Sequence, residues 1–135
     1  MVKVLDEIAV IGISNLDQAQ SIANSFTAGE GGCRAFQVVY LDSYGEILPA
    51  DSRDSSMAGK VVGLARSLIT SGDEGLIQSA GQIENVAWDL DPGATNYVGI
   101  GEITAIKPSS GFLQSIGIAI DSKTLLINLG LVIIL

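Results

Sequence analysis

Phe112-Leu113-Gln114-Ser115-Ile116-Gly117-Ile118-Ala119-Ile120, Asp121-Ser122-Lys123 and Thr124-Leu125-Leu126-Ile127-Asn128-Leu129 together decide the fold. Two apolar runs of strand length flank three turn-forming residues, which is the pattern of a β-hairpin. Upstream, Pro108-Ser109-Ser110-Gly111 is a turn, and Asn96–Ile100 with Glu102–Ile106 reads as a strand pair around Gly101. Asp91-Pro92-Gly93 is a further turn, after a segment Ile83–Leu90 that holds the single Trp. Leu76–Ala80, Lys60–Ala65, Glu46–Ala50 and Phe36–Leu41 complete the strands, separated by Ser71–Gly75, the polar loop Asp51–Ser56 and Ser43-Tyr44-Gly45.

Short strands with a turn every ~8–12 residues predict a mainly β fold, a small antiparallel β-sandwich or barrel. No helix long enough to cross between parallel strands interrupts them, which argues against an α/β fold. Glycines inside the strand runs (Gly63, Gly81, Gly99, Gly101, Gly117) predict bulges and tight bends.

The first 31 residues read differently. Ile8–Ile13 is a short apolar run, and Ser14 is a plausible cap for a following helix. Leu16, Ala19, Ile22, Ala23 and Phe26 recur at helical spacing and predict an amphipathic helix over 15–26. Ala28-Gly29-Glu30-Gly31-Gly32 ends it. The expected organisation is an N-terminal arm, residues 1–31, on a β domain, residues 32–135. Whether the arm is hinged or simply packs on the body stays open.

Composition narrows the function. The chain has 135 residues, 15 acids, 7 bases and no histidine, for a net charge of −8. Such a surface repels nucleic acid. The lack of histidine removes the usual general base and a common zinc ligand, and Cys33 alone excludes an intramolecular disulfide. Mean hydropathy is +0.44, yet no apolar run approaches the ~18 residues of a membrane span. Asp6 and Glu7 interrupt what would be the apolar region of a secretory signal. High hydropathy with few charges therefore predicts burial between chains. Leu131-Val132-Ile133-Ile134-Leu135 is the sharpest case: exposed, it would aggregate. It is expected to add a strand, to its own body or to a neighbouring subunit, with the second preferred.

Catalytic and metal-binding readings are thin. The lysines sit at strand or turn edges, and Cys33 reads as a small buried hydrophobe. Asp51 with Asp54, and Asp89 with Asp91, are the candidate carboxylate pairs for a glycosidase, and Asp89 with Asp91 and a carbonyl for a calcium site. Both lie in turns where Asp caps backbone amides. No enzyme activity, cofactor or metal is expected.

Several segments resemble the small β module of tailed-phage capsid decoration (cement) proteins, head fibres and tail-fibre tips. They are Val39-Tyr40-Leu41-Asp42 with Gly45, Ala58-Gly59-Lys60-Val61-Val62-Gly63-Leu64-Ala65, and Gly81–Asn85 with Trp88 and Pro92-Gly93-Ala94. The series ends with Pro108–Ile120 and Thr124–Ile127. The resemblance covers about residues 37–129 and implies a non-catalytic virion protein, typically a homotrimer. It would be made in the host cytoplasm and would sit on the capsid exterior, where it cements the major capsid protein, with no membrane or nucleic-acid partner. Apolarity nominates Ile8, Val10, Ile11, Ile13, Leu16, Ile22 and Phe26 for capsid contact, and Leu131–Leu135 for the contact between subunits. The alternative is a head- or tail-fibre tip that binds a host-surface glycan through Trp88, Tyr97, Asp51 and Asp54.

Overall fold

The computed structural model describes residues 21–135, and these form a mainly β body with no α-helix among them. The strands are β1 (Ile22–Ala28), β2 (Val38–Leu41), β3 (Glu46–Pro49), β4 (Val61–Ala65) and β5 (Glu74–Glu84). They are followed by β6 (Thr95–Val98), β7 (Ile103–Thr104), β8 (Phe112–Asp121), β9 (Thr124–Asn128) and β10 (Val132–Ile134).

The first five strands close on themselves in the order β1-β3-β2-β4-β5, with β5 returning to β1. The product is a five-stranded barrel, in which only β1 against β3 is parallel. Beyond the barrel the sheet continues from β5 through β9, β8, β6 and β7. The long β5 belongs to both parts: residues 74–80 pair with β1, and residues 80–84 pair with β9.

The hydrophobic pattern explains this two-part architecture. Val38 and Val39 are adjacent and both fully buried, as are Leu64 and Ala65. Adjacent strand residues point to opposite faces, so a strand buried on both faces needs apolar residues at every position. Val39 and Ala65 enter the barrel core with Ala28, Cys33, Ile47, Ile69 and Ile77. Val38 and Leu64 face outward, into a second core with Val98, Phe112, Ile116, Leu125 and Ile127. Thus β2 and β4 are the wall between two cores.

Bulges curl the sheets. The pairing shifts register at Val39/Tyr40 opposite Gly63 and Val61, at Asn96/Tyr97 opposite Gly117 and Ser115, and at Ile22/Ala23 opposite Ala80 and Gln78. Each shift leaves one extra residue on one strand, which increases local twist as a small barrel requires. Buried Gln78 donates from Nε2 to the carbonyls of Ala80 (3.0 Å) and Gln82 (2.9 Å), holding β5 where it bends between its two partners.

Two expectations change. Residues 22–26 are strand rather than the C-terminal half of a helix; residues 15–20 lie outside the described residues. Asn24, Ser25 and Thr27 are weak helix formers, and pairing with both β3 and β5 outweighs a helical spacing of so few apolar positions. This strand is part of the barrel, so the body begins before residue 32. In addition, Leu76–Ala80 and the start of Ile83–Leu90 are one strand, and Trp88 follows it in a turn.

The two cores make a stability prediction. Ile47→Val in the barrel and Ile116→Val in the second core each remove one buried methylene and are expected to cost about 0.5–1.5 kcal/mol. They lie in separate clusters. Urea unfolding of the double variant is therefore expected to give the sum of the single effects to within about 0.5 kcal/mol.

Candidate functional site

The polar loop after β3 is rigid because its own side chains replace missing backbone partners. Asp51 accepts from the Arg53 amide (2.9 Å) and grips its guanidinium at Nε (3.0 Å) and Nη2 (2.7 Å). Asp54 caps the 3-10 turn Ser55–Met57, accepting from the Ser56 amide (3.0 Å) and hydroxyl (2.6 Å). The carboxyls of Asp51 and Asp54 are both held below the ordinary carboxylate range, the first chiefly by the Arg53 side chain, the second chiefly by the Ser56 hydroxyl. These two acids are thus structural caps of their loop.

The loop is anchored to the second sheet. Ser52 donates its amide to the Gly99 carbonyl (2.9 Å) and accepts from the Phe112 amide (2.8 Å), and Asp51 bridges to Ile100. The chain at Gly111 runs so close to this loop that a Cβ there would sit 1.9 Å from the Ser52 carbonyl oxygen, and its φ is +80°. Only glycine satisfies both conditions.

That close approach leaves a groove of about 410 Å³ between Ser52–Arg53 on one side and Ile100, Thr104 and Lys107–Ser110 on the other. Asp51, Asp54, Tyr97 and Trp88 are not among the groove's lining residues; Asp51 precedes Ser52 in sequence and Tyr97 is the strand partner of Thr104 across the β6–β7 pair. The Trp88 ring packs edge-on against Phe36 at 5.5 Å, and its carbonyl accepts from the Lys123 ammonium, so it joins the second core. The groove residues Arg53, Thr104, Lys107 and Ser109 did not stand out in the sequence. Their only signals were two turns about 50 residues apart, and local periodicity does not report that such turns meet.

The other nominated surfaces fall as follows. Ile8, Val10, Ile11, Ile13 and Leu16 lie outside the described residues. Ile22 is half-exposed on β1, while Phe26 packs against the barrel core. Val132–Ile134 pairs with β8 of its own chain, Ile133 opposite Leu113. This strand continues the β8–β9 hairpin after an interruption at Leu129–Leu131, where Gly130 donates its amide to Ser115 (2.9 Å). Val132 packs on the second core, but Leu131 is 90% exposed and Ile133, Ile134 and Leu135 are at least half-exposed. Asp89 and Asp91 are both exposed, and no cluster of three potential metal-ligating side chains occurs among the described residues. No helix among them is long and apolar enough to cross a membrane.

Two predictions follow from this geometry. Gly111→Ala is expected to cost about 2–4 kcal/mol by thermal or urea unfolding, from strain plus collision with backbone. Gly45→Ala, at a similar φ of +78° with open space around it, is expected to cost only about 1–2 kcal/mol. Because the Asp51 carboxyl is depressed in the folded chain, its stabilisation is present above the ordinary carboxylate pKa and lost as pH falls through the folded value. Asp51→Asn is therefore expected to melt below the wild type at pH 7, and the difference to shrink as the pH is lowered through the depressed range of the folded carboxyl.

No protein-family model matches this chain, and no curated protein matches it in sequence.

Proposed function

We propose that this protein is a tailed-phage virion component that decorates the head as a homotrimer, cementing the major capsid protein lattice from outside. The observation that carries the reading is the apolar surface left on a body whose two cores are already filled. Ile133 and Ile134 of β10 and the flanking Leu131 and Leu135 are exposed around the partly buried Val132, and the strand pairs only with β8 among the described residues. An unpaired apolar edge is a template for another chain, and natural proteins protect such edges or use them. Trimeric contact through this edge must be heterologous, one patch meeting a different patch on the next copy, because pairing β10 with its own symmetry mate closes a dimer.

A second reading, a head- or tail-fibre tip that binds a host-surface glycan, is favoured by the groove beside the Asp51–Ser56 loop. Copy number separates the two. Quantitative mass spectrometry of purified virions is expected to find hundreds of copies per particle; a dozen or fewer would favour the fibre tip and overturn the decoration reading. Ile133→Lys with Ile134→Lys, both on exposed positions, is expected to leave the melting temperature within a few degrees of wild type while abolishing incorporation into heads. Normal incorporation of that variant would remove β10 from the assembly contact.

A further inference from the structure

The groove between the Asp51–Ser56 loop and the β7–β8 connection carries a charge opposite to that of the chain. Acids outnumber bases 15 to 7 overall, yet the groove is lined by two bases, Arg53 and Lys107, and by no acid. Arg53 is balanced by Asp51, which occupies its Nε and Nη2 and fixes the guanidinium in place, leaving Nη1 unengaged among the described residues. Lys107 forms no ion pair among the described residues, so its charge is the uncompensated one.

The remaining lining is suited to hydroxyls and to a non-planar ring. Thr104 accepts from the Ile106 amide at Oγ1 (3.1 Å), which leaves its own O–H to donate. Ser109 supplies a further exposed hydroxyl. Ile100 and Ile106, 62% and 79% exposed, give the C–H face of a ring an apolar surface to rest on. The volume falls within the range of small-ligand sites. A polyanion would meet the field of a chain with net charge −8, whereas a single carboxylate needs only Lys107.

We infer that this groove binds an acidic saccharide, a sugar ring bearing one carboxylate, with Lys107 and Arg53 meeting the carboxylate and Thr104 and Ser109 the hydroxyls. The inference rests on the glycan-binding reading above and names its ligand class. The full chain, labelled with 15N, is titrated with D-glucuronate, and in parallel with D-glucose and with acetate. Saturable shifts are expected at the Ser52, Arg53, Thr104, Lys107 and Ser109 amides. Glucuronate is expected to bind about tenfold more tightly than either control, as one charge-assisted contact implies. Lys107→Ala, on an exposed loop, is expected to weaken glucuronate binding about tenfold without altering the rest of the spectrum. Glucose saturating these amides as well as glucuronate does would overturn the acid preference and leave the glycan reading standing. Acetate matching glucuronate would reduce the groove to a simple anion site and overturn the saccharide assignment. Absence of any saccharide-induced shift at these amides up to about 50 mM, weaker than ordinary weak binding, would overturn both.

Discussion

Burial of β2 and β4 on both faces is the constraint on which the rest of this structure depends. Val38 and Val39, Leu64 and Ala65 are consecutive pairs whose side chains leave the sheet in opposite directions, and all four are essentially inaccessible. A single sheet packed on one side would leave half of them in water, at roughly 1.5–3 kcal/mol for each large aliphatic side chain. The chain meets the constraint by closing five strands into a barrel and then wrapping the continuation of β5 around the barrel's outer wall. The bulges, and the glycine that lets residue 111 touch the Ser52 carbonyl, are the local devices that make such tight curvature possible.

The same economy explains where function is to be sought. With both cores satisfied, the apolar residues still in water have no further place inside the described body. One set lies on and beside β10 and another at the groove rim, Ile100 and Ile106, while Tyr44, Leu68 and Val86 are exposed elsewhere. The two sets serve different readings: a continuous edge of backbone and aliphatic side chains suits another polypeptide, whereas an apolar rim around cations and hydroxyls suits a sugar.

Much of the fold was legible because its signals are local. The turns Ser43–Gly45, Asp91–Gly93 and Asp121–Lys123 fell where the sequence put them, and so did the hairpin Phe112–Asp121 with Thr124–Asn128. The misreading of residues 22–26 has a physical cause: Ile22, Ala23 and Phe26 fit a helical stripe, but two strand partners from residues 46–47 and 74–80 supply hydrogen bonds that no local pattern announces. Closure of the barrel was open for the same reason, since β1 meeting both β3 and β5 is a long-range event. Of the nominated ligand residues none lines the groove: Asp51 and Tyr97 only neighbour residues that do, and Trp88 packs on the second core. Trp88 could not have been told apart beforehand, because an indole serves equally well as a stacking platform and as core filling.

Self-association is the central claim, and the mass of the full-length chain in solution tests it most directly. Sedimentation velocity at micromolar concentration is predicted to give a single species of about 42 kDa, three copies of a 14.0 kDa chain. A stable 14.0 kDa species persisting to about millimolar concentration would contradict the account, because an apolar edge that three copies share could not remain unpaired at that density.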